Sequence, residues 1–263
     1  MGRRVVHPGT DAVRADKRAA AKKDPAQAAR DKAEELHRSG MPFQMAMAVA
    51  HGRLALNEAL ERMARNDRIE KLIKKHDLSR ALATQVALGQ ADLDRVLHRR
   101  RFEAHRQEHR DRSILDASAA SGDPLVLALH GQEHLEATVI EVRPYEVILQ
   151  PPGGEPEERH KLQIKFAYAP KDRKAVKKAL SWDETLQASP REPIERPQDR
   201  YPCSDKRIFR YLDDKAEVQA TFLEGERLRG RVVWMSRYEF GLEIPGGKVV
   251  TVFRHALAEL AAV

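Results

Sequence analysis

Through residues 42–112, large apolar side chains return at Phe43, Met47, Val49, Leu54, Leu56, Leu60, Met63, Ile69, Leu72 and Ile73. That spacing follows the 3.6-residue period of a helix rather than strict alternation. Gly52 separates a first predicted helix from a second. Asp77-Leu78-Ser79 caps a third, Gly89 ends it, and a fourth occupies residues 91–110. Later in the chain the period changes to two. Val218, Ala220 and Phe222 alternate with polar partners, as a half-buried strand does. Gly225 supplies a turn, and residues 228–235, bent at Gly230, form a longer strand. Residues 238–244, 248–254 and 256–260 complete a set of five, with Pro245-Gly246-Gly247 as a tight turn.

This β-rich pattern occurs twice. Leu135 matches Leu228, Val139-Ile140 matches Val232-Val233, Tyr145-Glu146 matches Tyr238-Glu239, and Leu149 matches Leu242. Lys165-Phe166-Ala167 is laid on Arg254-His255-Ala256, with a longer, acidic connection over 151–159 absorbing the difference. Internal self-similarity of this kind signals a duplicated module. Five bent strands in so short a stretch suggest a small barrel, since closure removes free edges. The fold class expected is α+β, a helical region followed by two small five-stranded barrels. The predicted divisions are a disordered basic arm (1–40, with a transient helix over 25–38), a helical domain (41–112), a first barrel (113–168), a linker (169–200) and a second barrel (201–263). Ser181-Trp182-Asp183-Glu184 in the linker reads as a capping box opening one short helix.

Charge sharpens this picture. Residues 1–112 carry 25 Lys/Arg against 16 Asp/Glu, and residues 113–263 carry 22 against 24, so the net +7 resides in the N-terminal half. Polyanions are the partners this favours. One cysteine, Cys203, excludes an internal disulfide. No apolar run approaches the roughly 20 residues of a membrane span, and no signal-peptide pattern opens the chain. A cytoplasmic protein is expected. No Gly-rich phosphate loop or nucleophile–base pair argues for an enzyme, and no cofactor is implied.

The second copy, with the helix predicted just ahead of it at 205–212, resembles the Sm-like fold and within it the Hfq family of RNA chaperones. Val252-Phe253-Arg254-His255-Ala256 is similar to that family's aromatic-Lys-His-Ala signature. The resemblance implies that Arg254 and His255 grip uridine-rich RNA ends, that Tyr238 stacks on a base, and that Arg237 contacts phosphate or a base edge. It also implies rings in which the fourth strand of one unit pairs with the fifth of the next. Three copies of this duplicated chain would then make a pseudo-hexamer, a compact monomer being the alternative.

The expected RNA-binding residues are therefore Arg254, His255, Tyr238, Arg237, Lys248, Lys165, Phe166 and Tyr145. Tyrosines at a barrel end and Arg254 paired with Glu243 or Glu239 are the purely structural alternatives. Phosphate contacts are expected from Lys206 and Arg207, and from Arg99, Arg100, Arg101, Arg106 and Arg110 of an Arg-rich run that continues to Arg112. Within that run, His105-Arg106-Gln107-Glu108-His109 has the H-x-x-E-H spacing of a metalloprotease class. It lacks a third ligand and a walled setting, so no metal is assigned. The string 78–97 has the cadence of a helix-turn-helix, against a plain helical hairpin. Single-stranded RNA is the expected partner. Duplex DNA read by the helical region, or a ribosomal scaffold role, are the alternatives.

Overall fold

The computed structural model describes residues 24–263. The greater part of the predicted basic arm therefore lies outside the described residues. The chain is α+β, and it divides into two compact units, one up to Leu93 and one from Asp94 to Val263. No helix among the described residues is long and apolar enough to cross a membrane.

The first unit holds helices α1 (Pro25–Arg38), α2 (Phe43–Ala50), α3 (Leu56–His76) and α4 (Arg80–Ala87). The Asp24 side chain accepts the Ala26 N–H at 3.1 Å and starts α1, which is a full helix where a transient one was expected. Its Ala33 packs with Met41, Ala46, Val49 and Ala59 into a small core, and burial of that face holds the helix. Ser79 caps α4 and Gly89 follows it at φ +72°, as the sequence pattern required.

From Asp94 onward, α5 (Leu93–Glu108) packs on the β-rich region and so belongs to the second unit rather than to the helical domain. There follow α6 (Ile114–Ser121) and strands β1 (Leu125–Leu129), β2 (His134–Val142), β3 (Glu146–Gln150), β4 (Glu157–His160) and β5 (Ile164–Tyr168). The connector contains α7 (Arg173–Ala179), β6 (Ser181–Trp182) and α8 (Glu184–Ala188). It is more ordered than a linker with one helix. Asp183, not Ser181, caps α8 by accepting the Thr185 and Leu186 N–H groups, and β6 pairs with a later strand. Helix α9 (Asp205–Asp213) then precedes β7 (Glu217–Phe222), β8 (Glu226–Met235), β9 (Glu239–Ile244), β10 (Lys248–Phe253) and β11 (Leu257–Ala262).

The eleven strands form one open antiparallel sheet ordered β11-β7-β8-β9-β10-β5-β1-β2-β3-β4, with β6 beside β8. The two repeats occupy its two halves. Each runs helix then five strands, and each half has the order fifth-first-second-third-fourth. The halves join where β5 pairs with β10, Thr251 opposite Ala167 and Val252 opposite Phe166. Register breaks between Val139 and Glu141 in β2 and between Val232 and Trp234 in β8 fall at the same place in each repeat. Gly230 marks a close approach within β8: a Cβ there would lie 2.2 Å from the Glu243 carbonyl oxygen, which no other residue tolerates.

Three features follow from the junction. Phe166 is wholly buried, its ring 4.9 Å from that of Phe222, because β5 is flanked on both edges and covered on this face by the second repeat's core. Phe253 of the second repeat packs into the first repeat's core with Leu127, Leu149 and Ile164. Lys165 is wholly buried and bonded to both Glu224 and Glu226.

Candidate nucleic-acid interface

The repeat has a constant offset. Tyr145 and Tyr238 stand 93 residues apart (238 − 145), and the structure carries that offset through to the end of the module. The 3-10 turn Lys161–Gln163 follows β4 as Arg254–Ala256 follows β10. Lys161, rather than Lys165, is thus the counterpart of Arg254. The shift of four residues expected across the connection 151–159 is absent, since β3 and β4 are shorter than β9 and β10 and compensate for the longer loop.

Identical contacts build both tyrosine turns. Ser236 N–H donates to Glu239 O at 2.8 Å, and Arg143 N–H to Glu146 O at 3.0 Å. The Tyr238 carbonyl accepts from Arg254 N–H at 3.0 Å and the Tyr145 carbonyl from Lys161 N–H at 2.8 Å. Finally the cationic side chains fold back onto the turns, Arg254 onto the Ser236 carbonyl and Lys161 onto the Arg143 carbonyl. The two basic residues therefore hold the turns that carry the tyrosines, and the tyrosines project outward. Tyr145 is 69% exposed and Tyr238 65%.

Both tyrosines line one cavity of about 1130 Å³, together with Arg110, Arg112, Lys161 and Arg237. The Arg237 guanidinium lies 5.1 Å from the Tyr238 ring centroid and that of Arg112 lies 4.2 Å over Trp234. Glu192 and Glu195 of the connector line the same cavity. Arg200 holds that segment by donating to the carbonyls of Ile194 and Glu195 at 2.8 and 2.7 Å. A smaller hollow of about 330 Å³ beside Arg237 is lined by Arg106 and Arg110.

Other expected contacts are directed elsewhere. Lys165, locked between two buried carboxylates, presents no charge to a ligand, and Phe166 is core. His255 donates from Nε2 to the Ile164 carbonyl at 2.9 Å, and burial pushes its pKa down to about 4, so it is a neutral internal residue. Arg254 pairs with Asp205 at 2.6 Å, not with Glu239 or Glu243, and its side chain is only 12% exposed. Lys248 reaches Asp172 at 3.2 Å. On α5, Arg101 makes a two-pronged contact with Asp213 at 2.8 Å, and His98 joins the same carboxylate. Hydrogen bonds from Arg101 and His98 hold the Asp213 carboxyl below its ordinary pKa against the cost of desolvation. Arg99 pairs with Glu103 across one helical turn. His105 of the H-x-x-E-H string accepts the Met235 N–H at 3.2 Å, which commits one of its two histidines to the backbone. Arg100, Arg106, Arg110 and Lys206 are exposed. Arg207 is exposed too, donating to the Tyr211 hydroxyl at 3.1 Å and lying 5.5 Å from the Tyr201 ring.

Lys161 and Glu239 were not singled out as site residues from sequence, although the 93-residue offset held constant would have found Lys161. Glu239 is 2% exposed and lines the cavity. Its Oε1 accepts the Ile114 N–H at 2.8 Å at the start of α6. Desolvation pushes its carboxyl up to about 7. Comparison of the chain with known protein families, with characterised proteins and with solved structures found no match.

Proposed function

We propose that each half of the sheet is a Sm-like barrel and that the protein binds single-stranded RNA, without chemistry, in the cleft between Tyr145 and Tyr238. The observation that carries this is the convergence of both repeats' exposed tyrosines on one cavity, beside Arg110, Arg112, Lys161, Arg200 and Arg237. Aromatic faces that take any base, set beside cations that follow a phosphate chain, constitute a single-strand site. RNA chaperoning or post-transcriptional regulation in the cytoplasm is the use it would serve. His255, which the resemblance gave to uridine, is turned to the Ile164 carbonyl, so the proposed ligand is single strands in general.

The proposal extends to assembly. β4 and β11 end the strand order and, among the described residues, leave one edge each unpaired. Unpaired edges accept further strands. Carrying the β5–β10 register over by 93 residues sets Arg159 opposite Glu259 and Glu158 opposite Leu260 between copies. Three copies joined this way would close a ring of six barrels.

Fluorescence anisotropy with a short unstructured oligoribonucleotide tests the ligand. Replacing both tyrosines by alanine should weaken binding by about 1–3 kcal/mol for each lost base stack. Unchanged affinity in that variant, or duplex DNA competing as well as the single strand, would overturn the proposal.

A further inference from the structure

Glu239 combines two properties at the wall of the cavity. It is almost wholly buried, and its Oε2 has no hydrogen-bond partner among the described residues. A buried acceptor left unmatched is costly, and an incoming donor would offset that cost. The residue also lies directly after Tyr238 and lines the same cavity. Its Oε1 is anchored by the Ile114 N–H, which leaves one oxygen for an incoming group. The terminal torsion of a glutamate is broad, so a small turn presents that oxygen to the cavity.

We propose that Glu239 selects the base in the cleft by accepting, on Oε2, a hydrogen bond from an exocyclic amino group, so that cytosine and adenine are preferred to uracil. This rests on the RNA-binding reading above. A carboxylate only accepts, and amino groups on cytosine and adenine only donate. The uracil N3–H is flanked by two carbonyl oxygens that repel the same charge.

The preference depends on pH. Asp116 of α6 joins burial in pushing the Glu239 carboxyl up to about 7, against Arg112 and Lys161, which favour the ionised form. Arg237 and the neutral His255 of its own repeat also line the cavity. Above that value Oε2 only accepts. Below it the neutral acid also donates, to a uracil carbonyl among others, and discrimination narrows.

Full-length protein and labelled oligo(rC), oligo(rA) and oligo(rU), titrated by anisotropy at about pH 8 and about pH 6 in constant salt, decide the matter. Cytosine and adenine should bind about tenfold tighter than uracil at the higher pH, the worth of one charge-assisted hydrogen bond, and less so at the lower. Glu239→Gln, which keeps the Ile114 contact and can both donate and accept, should lose the preference and its pH dependence together. A wild-type ratio equal to that of Glu239→Gln, or unchanged between the two pH values, overturns the inference; the wild-type pH series stands even where the variant does not fold. Binding of all three polymers with equal affinity sinks base selection and leaves the RNA-binding reading intact. Wild-type protein that binds none of them sinks both.

Discussion

The first and second repeats share their strand order, their bulges and the three contacts that build a tyrosine turn, yet corresponding residues live in different surroundings. Glu239 is buried against the start of α6, while its counterpart Glu146 is only half-buried. Arg254 is pinned between Asp205 and a carbonyl, whereas Lys161 makes only backbone contacts. His255 donates across the junction to Ile164, where the first repeat has Leu162. The cause is position in the row of strands. The second repeat's fourth strand meets the first repeat, and the first repeat's fourth strand is an edge. A residue's role in this module is therefore fixed as much by its neighbour as by its own turn.

The junction's buried charges give the strongest way to break that arrangement. Lys165→Met leaves Glu224 and Glu226 buried without their cation and should cost about 3–5 kcal/mol in urea unfolding. A variant as stable as the parent would show that the junction does not rely on this cluster.

Acid should come next. His255 has a pKa lowered to about 4 by burial, and those of His130 and His134 are lowered by the same cause. Their neutral forms are favoured in the fold, so their contribution is complete above the unfolded value of about 6.5 and is lost as pH falls below it, for His255 toward about 4. For His255 the loss is on the order of 3 kcal/mol. Thermal melts should show a steep decline over that window, flattened in His255→Leu, which copies the first repeat's Leu162. Parallel curves for parent and variant would contradict this.

The smallest effects distinguish the two turn-holding cations. Arg254→Ala removes a charge-paired contact and should lower stability by about 2 kcal/mol. Lys161→Ala, with no carboxylate to abandon, should cost less than about 1 kcal/mol. Equal losses in denaturation would mean that the Asp205 pairing is inert.

Strand positions were legible in the sequence because alternation such as Val218, Ala220, Phe222 maps directly onto one buried face. The tyrosines were legible too, as large aromatic residues beside turn signals in both copies. What the sequence misassigned was the destination of its cations. Lys165, Arg101, Arg254 and Lys248 read as solvent-seeking charges, and each meets a carboxylate far away along the chain. Such pairings arise from the closing of the sheet and the docking of α5 and α9, which no local pattern encodes. Phe166 was misread through the four-residue slip, since an aromatic on a central strand and one on a turn look alike without register.

The β5–β10 seam has one more consequence. Its two sides belong to a single polypeptide, joined through residues 169–200, so they meet at a local concentration on the order of millimolar however dilute the solution. Closing it is a first-order event, and dilution alone cannot part the halves.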